Sequence, residues 1–301
     1  LINGSVLFII IAGTLFSGRH AFTTFYNENF RKRIRLVEEV NRPVQALSQR
    51  KVTIGLLIIS AIISILVSFI VSFTGWLDVL SFLKSSTFNY VDPLFNKDLG
   101  FYVFKLPFFY TIYNAFFPPI FILTLFTAGF YVVTQVIKFN SFRFWRRDAI
   151  TISTTARRHL GILLAIIFAL KAFGYYLDTF SLVYSQSGHV SGAGFTDVHV
   201  SLPILRVLMV ISIVGFIFSL VALVFRDSRL LTVPIPLLLF FSLIVYGFLP
   251  PVVQSLIVIP NELQKEAPYI ANEIELTRFA YGLDKIKEQD YSGVEPLTGE
   301  D

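Results

Sequence analysis

Leu202 to Phe225 reads LPILRVLMVISIVGFIFSLVALVF, an apolar run carrying a single charge, Arg206, near its start. A helix of about 20 such residues crosses a hydrocarbon core of about 30 Å. Lipid offers no partner to free backbone groups, so a segment of this kind has to satisfy them internally as a helix. A barrel strand would be shorter and would alternate apolar with polar residues, which this run does not do.

Five further runs share the pattern, at about 1–16, 52–73, 108–137, 160–176 and 231–259. The expectation is an all-α protein, a polytopic helical membrane bundle with six transmembrane helices spread over residues 1–259. Trp76 closes the second run at an interface. Pro118-Pro119 is expected to kink the third run or mark its entry, and Pro250-Pro251 interrupts the sixth.

Composition agrees. The 301 residues are 54% hydrophobic and 15% charged, against about 25% charged in soluble domains. There are 33 Phe, which need no hydrogen-bond partner in lipid, and no Cys, which removes disulfide and thiolate chemistry. The net charge of +5 is not a nucleic-acid footprint, because the basic residues sit in short loops between apolar runs.

Those loops set the orientation. Arg19, Arg31, Lys32, Arg33, Arg35, Arg42, Arg50 and Lys51 follow the first run. Lys138, Arg143, Arg146, Arg147, Arg157 and Arg158 follow the third, and Arg226 and Arg229 the fifth. The alternate loops hold Lys84, Lys97 and Lys105 alone. The positive-inside rule places the first set in the cytoplasm and both termini outside. Within the first loop, Phe30, Ile34 and Val37 recur at helical spacing among basic residues. That segment is either an amphipathic helix on anionic headgroups or a solvated loop that only sets topology. Phe142, Phe144 and Trp145 beside Arg146-Arg147 read as an interfacial anchor.

After Pro260 the chain turns polar, with ten acidic residues against four basic from Asn261 to Asp301. Residues 260–301 are expected to form an extracytoplasmic helical linker. Asn261 and Gln264 have capping-box spacing, Pro268 stands where a second helix would start, and Gly282 where it would stop. The chain begins at Leu1 inside an apolar run and stops in an acidic stretch, so both ends are expected to be cuts in a longer protein, with a domain following.

Signals of chemistry are weak. No HExxH, nucleophile elbow, phosphate loop or dinucleotide fingerprint is present, so no catalytic motif or cofactor is assigned. Asp92 and Asp98, with Lys97 between them, lie in an outer loop that starts a turn at Asp92-Pro93. Two carboxylates without a third ligand make a poor metal site. The aromatic run after Gly100 is an interfacial segment or a short strand. In the second outer loop, His189, Asp197 and His199 are candidate ligands or acid–base groups, and Gly188, Gly192 and Gly194 would let the backbone approach something closely.

Charges within spans are costly and therefore informative. Lys171 falls mid-span. Asp178 lies about 10.5 Å further along the same helix face, too far for direct contact. Arg206 is at similar depth to Asp178 on the next helix, and the two are expected to pair. Lys171 either lines an ion or solute path or is snorkelled or paired inside the bundle. The latter is favoured because proton relays use chains of charges. No inverted repeat is evident.

The run Asp92-Pro93-Leu94-Phe95-Asn96-Lys97-Asp98-Leu99-Gly100-Phe101-Tyr102-Val103-Phe104-Lys105-Leu106-Pro107-Phe108 resembles the signature of uncharacterised protein family 0182, large bacterial multi-pass membrane proteins. Leu170-Lys171-Ala172 with Tyr176-Leu177-Asp178, Gly192 through Val198, and Pro260-Asn261-Glu262-Leu263 through Tyr281-Gly282-Leu283-Asp284 resemble it in the same order. Gly194-Phe195 departs from it, where a small polar residue and Tyr are expected. The resemblance implies seven spans in the full protein, of which this chain lacks the first, and a large extracytoplasmic domain after the last. It implies no activity and transfers no catalytic or binding residue.

The leading expectation is a membrane platform that anchors an extracytoplasmic domain and docks cell-envelope partners, with the lipid bilayer as its other partner. The alternative is a transporter or lipid-handling channel with a path near Lys171, Asp178 and Arg206. An enzyme would have its chemistry beyond Asp301.

Overall fold

A computed structural model describes residues 12–24 except 14, scattered helical positions between 54 and 69, and residues 75–139, 150–186, 192–225, 227 and 229–286. The described residues are all-α apart from one small two-stranded sheet. Residues 15–24 form α1 and residues 75–83 form α2. A π-helical turn, Phe101–Lys105, opens into α3, Leu106–Val133. Strands β1, Ile137–Phe139, and β2, Ile150–Ile152, pair antiparallel, with Lys138 opposite Thr151. Next come α4, Thr154–Ser181, and α5, Leu202–Val224, the latter preceded by a π turn at Asp197–Ser201. The chain ends in a segmented helix: α6, Arg229–Thr232; α7, Pro234–Leu239; a π turn, Phe240–Tyr246; α8, Gly247–Val253; a second π turn, Gln254–Val258; and α9, Glu262–Ala280.

Four helices among the described residues are long and apolar enough to cross a membrane: Phe101–Val133, Thr154–Tyr184, Asp197–Val224 and Arg229–Ala280. They correspond to the last four of the six expected runs. The runs at 1–16 and 52–73 lie largely outside the described residues, as do the basic stretch 30–40, the anchor at 142–147, and His189. Six spans are therefore not established, and four is the supported count.

The boundaries also need correcting. The third run stops at Val133 rather than 137, because Ile137 enters β1. The fourth extends to Thr154 and Ser181, beyond 160–176, because Ser153 caps it by accepting a hydrogen bond from the Ala156 amide at 3.3 Å. Pro118 and Pro119 lie inside α3. The run after Gly100 is not a strand but the π turn into α3. Asn261 forms no side-chain cap, and α9 runs through Pro268. It stops as expected, with Gly282 left-handed at φ 68°.

Helix α4 is the centre of the bundle and packs against both α3 and α5. Its buried stripe includes Leu160, Leu163, Ile167, Phe168, Tyr175 and Leu177. The facing stripe of α5 is Leu205, Leu208, Ser212, Ser219 and Ala222, whose small members let the helices close together. Ser212 and Ser219 donate to the carbonyls of Leu208 and Gly215, so neither hydroxyl is stranded in an apolar setting.

Candidate functional site

The bundle has two polar ends. The hairpin end gathers Ala21, Tyr131, Val136, Ala156, Leu160, Ala222 and Leu231 around neutral polar side chains. His159 shares hydrogen bonds through Nδ1 with the Tyr131 hydroxyl, at 2.9 Å, and through Nε2 with Ser17, at 3.0 Å. His20 reaches the same hydroxyl at 3.4 Å. This set of hydrogen bonds links α1, α3 and α4. Arg157, also buried, donates from Nε to the Ala222 carbonyl at 3.3 Å. The sequence reading passed over this cluster because its members are scattered and lie at or beyond the edges of the expected runs.

The opposite end carries the expected candidates. Asp92 is 4% exposed, and its carboxylate accepts from the Phe95 amide at 2.6 Å and the Tyr102 hydroxyl at 3.1 Å. Asp98 accepts from the amides of Gly100, Asn89 and Phe88 at 2.7, 3.0 and 3.2 Å. A two-residue bridge, Val91 to Asp98, closes the loop between them. Desolvation works to raise the Asp98 pKa. The Gly100, Phe88 and Asn89 amides and the Lys105 charge outweigh it and hold the carboxyl below its ordinary value. Gly100 is required by close approach, since a Cβ there would collide with the Ser86 carbonyl. These carboxylates are loop braces, and Lys97 between them is exposed.

Lys171 lies over the rings of Phe117, at 4.8 Å, and Tyr175, at 5.0 Å. Its amino group is flanked by aromatic faces inside the bundle. Asp178 is near enough to act on it electrostatically. The expected Asp178–Arg206 pair does not form: Asp178 accepts instead from the Tyr110 hydroxyl at 2.8 Å, and Arg206 is exposed on α5. Equal depth on consecutive helices did not put the two side chains on facing surfaces.

Asp197 and His199 part company. Asp197, 4% exposed, takes bonds from Ser201 Oγ and the Gly194 amide, both at 3.4 Å. His199 stacks on Phe195 with centroids 4.3 Å apart and shares a hydrogen bond with the Tyr269 hydroxyl at 3.2 Å.

Tyr269 belongs to α9, and α9 is the element that the residue patterns did not connect to the site. It lies across both loops. Glu266, 6% exposed, accepts from the Phe195 amide at 3.1 Å. Lys265 stands over the Phe195 ring, and Phe279 packs on Tyr90 at 4.3 Å. The glycines of the second loop explain how: a Cβ at Gly194 would meet Glu266 Oε2 at 2.9 Å, and one at Gly192, where φ is +151°, would collide with Glu273. The Gly-x-Gly spacing was the available signal. What it left unspecified was the approaching group, two carboxylates from more than seventy residues downstream.

A cleft of about 430 Å³ opens at this end, lined in part by Ser181, Thr196, Asp197, Ser201, Tyr246 and Gln254. The Thr196 hydroxyl donates to the Gln254 side-chain oxygen. Among the described residues no group of three or more His, Cys, Asp or Glu is placed to hold a metal.

The model of the family described as "Uncharacterised protein family (UPF0182)" matches residues 1–301. The chain is 56% identical to a UPF0182 protein of Desulfitobacterium hafniense over all 301 of its residues, which is 31% of that protein. It is 37% identical to a UPF0182 protein of Desulforamulus reducens over 75% of this chain and 24% of the relative. With a UPF0182 protein of Clostridium acetobutylicum it shares 32% identity over 92% of this chain and 31% of the relative. The chain thus spans about a third or less of the length of these relatives. No solved structure matches.

Proposed function

We propose a function from one premise: the chain belongs to the uncharacterised protein family UPF0182. In our reading it is the membrane platform of a longer protein in the bacterial plasma membrane, crossing it six times, with the loop end and the C-terminal tail outside. It anchors an extracytoplasmic domain and docks cell-envelope proteins against its outer face.

The observation that carries this reading is the clasp of α9. A helix that merely led away from the membrane would have no reason to bury Glu266 on the Phe195 amide or to stack Phe279 on Tyr90. Such contacts fix the direction in which the chain leaves the bundle, which is what an anchor needs. The rings of Phe117 and Tyr175 beside Lys171 favour a lysine held inside the bundle over one lining a solute path.

The test is purification of the full-length protein from native membranes in mild detergent, followed by identification and counting of the proteins retained. The reading expects the same envelope proteins at fixed stoichiometry, lost on Glu266→Ala while the thermal unfolding of the bundle persists. Absence of any stoichiometric protein, or retention indifferent to that substitution, contradicts it.

A further inference from the structure

The hairpin end holds an unanswered donor. Arg229 follows the turn after α5, and its Nε is buried with no hydrogen-bond partner, the one such side-chain atom among the described residues. A buried guanidinium nitrogen is costly to leave without an acceptor, and native proteins answer one with water or an ion. The nearby carboxylate is engaged elsewhere: Asp227 Oδ1 accepts from the backbone amide of Arg229 at 3.0 Å. Arg157, packed against the end of α5, differs in giving its Nε to the Ala222 carbonyl. Arg229 as a residue is only half-buried, so it can be reached from the surface.

Its setting is cationic. Leu231 belongs to the buried cluster with Ala21, Ile137 and Ala156, and Leu230 packs against that cluster. Each of those three residues has basic neighbours in the chain: His20 beside Ala21, Lys138 beside Ile137, and Arg157 with Arg158 after Ala156. In the stretches 15–24, 134–139, 150–160 and 222–233, Asp227 is the one carboxylate. A field of one sign around an unpaired guanidinium selects an anion.

Depth and surface select what carries that anion. One candidate span ends at Val224 and the next starts at Arg229, so the side chain stands where apolar helix gives way to the headgroup layer. The Val233 amide donates to the Arg229 carbonyl at 2.9 Å, which sets the two residues one helical turn apart on one face. Val233 and Leu237, a further turn on, are each 44% exposed. An exposed apolar stripe leading from a guanidinium into the span matches the plan of a phospholipid, with its phosphate at one end and acyl chains along the helix.

We propose that Arg229 binds a phosphate group, carried by an anionic phospholipid whose acyl chains lie along Val233 and Leu237. The planar guanidinium offers N–H donors in a fork that fits phosphate oxygens, and the surrounding cations add a preference for a headgroup of net negative charge. This inference needs the chain to sit in a bilayer. It needs no docking partner, and it holds whichever side of the membrane the hairpin end faces.

The test uses the full-length protein, stripped of lipid in detergent and examined by native mass spectrometry. Phosphatidylglycerol and phosphatidylcholine of identical acyl chains are added in turn. Phosphatidylglycerol should be retained about fivefold more strongly, and Arg229→Gln should abolish the preference. Because no protein group answers the Arg229 Nε, the same substitution should leave thermal unfolding of the stripped protein unchanged. Added phosphatidylglycerol should raise the unfolding midpoint of the wild type and not of the variant. Val233→Gln, at an exposed position, interrupts the stripe and should weaken retention of both lipids. Inorganic phosphate is the other arm. Stabilisation of the wild type by phosphate, lost in Arg229→Gln and without preference between the lipids, assigns the same residue to a soluble phosphate. Four results overturn the proposal: no lipid preference with no response to phosphate, a preference unchanged in Arg229→Gln, a preference indifferent to Val233→Gln, or a stripped Arg229→Gln protein that unfolds earlier. The last would give Arg229 a structural role.

Discussion

The two ends of the bundle are built from the same helices and solve opposite problems. At the hairpin end, His159, Tyr131, Ser17 and His20 bond to one another across α1, α3 and α4. At the loop end, Asp92, Asp98 and Glu266 are held chiefly by backbone amides of loops, and an open cleft remains beside Asp197. Side-chain pairs join helices at the first end; at the second, carboxylates brace loops through backbone amides. The difference sets the cost of losing a partner: a hydrogen bond to a carboxylate costs more to lose than one between a hydroxyl and a ring nitrogen.

The largest expected effect is at Asp92. Asp92→Ala strands the Phe95 amide and the Tyr102 hydroxyl in a buried loop, a loss of about 3 kcal/mol of stability. Thermal unfolding in detergent measures it, and a loss no greater than that of Tyr131→Phe would break the contrast. Tyr131→Phe removes the shared hydroxyl of the hairpin end and is expected to cost about 2 kcal/mol, since it leaves two imidazole nitrogens unpartnered. It should leave retention of envelope proteins unchanged, because its partners His159 and His20 lie at the hairpin end.

A smaller effect is expected at the stacked pair on α9. Tyr90→Ala should cost about 1 kcal/mol or less, yet raise hydrogen exchange along α9 selectively. The smallest is the acid response of Asp98. Its folded pKa lies below the unfolded value, so its contribution is fully present above the ordinary aspartate range. That contribution is lost only as pH falls through the depressed folded value. Amide protection of Phe88, Asn89 and Gly100 should therefore survive to more acid pH in the wild type than in Lys105→Ala. An unchanged profile would show that the amides alone set the shift.

Much of the fold was legible in the sequence. The run Leu202–Phe225 has one mechanical solution in lipid, and α5 with its preceding turn follows it within a few residues. Gly282 stops α9 as its left-handed conformation requires. Pro250-Pro251 does not interrupt the last helix as expected: both lie inside α8, and the breaks are the π turns on either side, which prolines do not announce. The site was half legible. Asp92, Asp98, Lys171, Asp178 and Asp197 are all engaged, but with partners the spacing did not indicate. Helix rotation, which sequence depth does not fix, turned Arg206 outward and gave Asp178 to Tyr110. The contacts of Glu266 and Glu273 join residues about seventy to eighty apart, with only two glycines to announce them.

The central claim, that α9 is clasped to the loop end outside the membrane, is tested most directly by cross-linking. The 301 residues contain no Cys, so Tyr90→Cys with Phe279→Cys introduces one addressable pair into this region. A short membrane-impermeant bismaleimide applied to intact cells should join the two, detected as proteolytic fragments held together under denaturing conditions. Linkage in intact cells is the result expected of a clasp on the outer face. Linkage only after lysis would place the loop end in the cytoplasm, and no linkage in either state would show that α9 does not lie on Tyr90; either result contradicts the account.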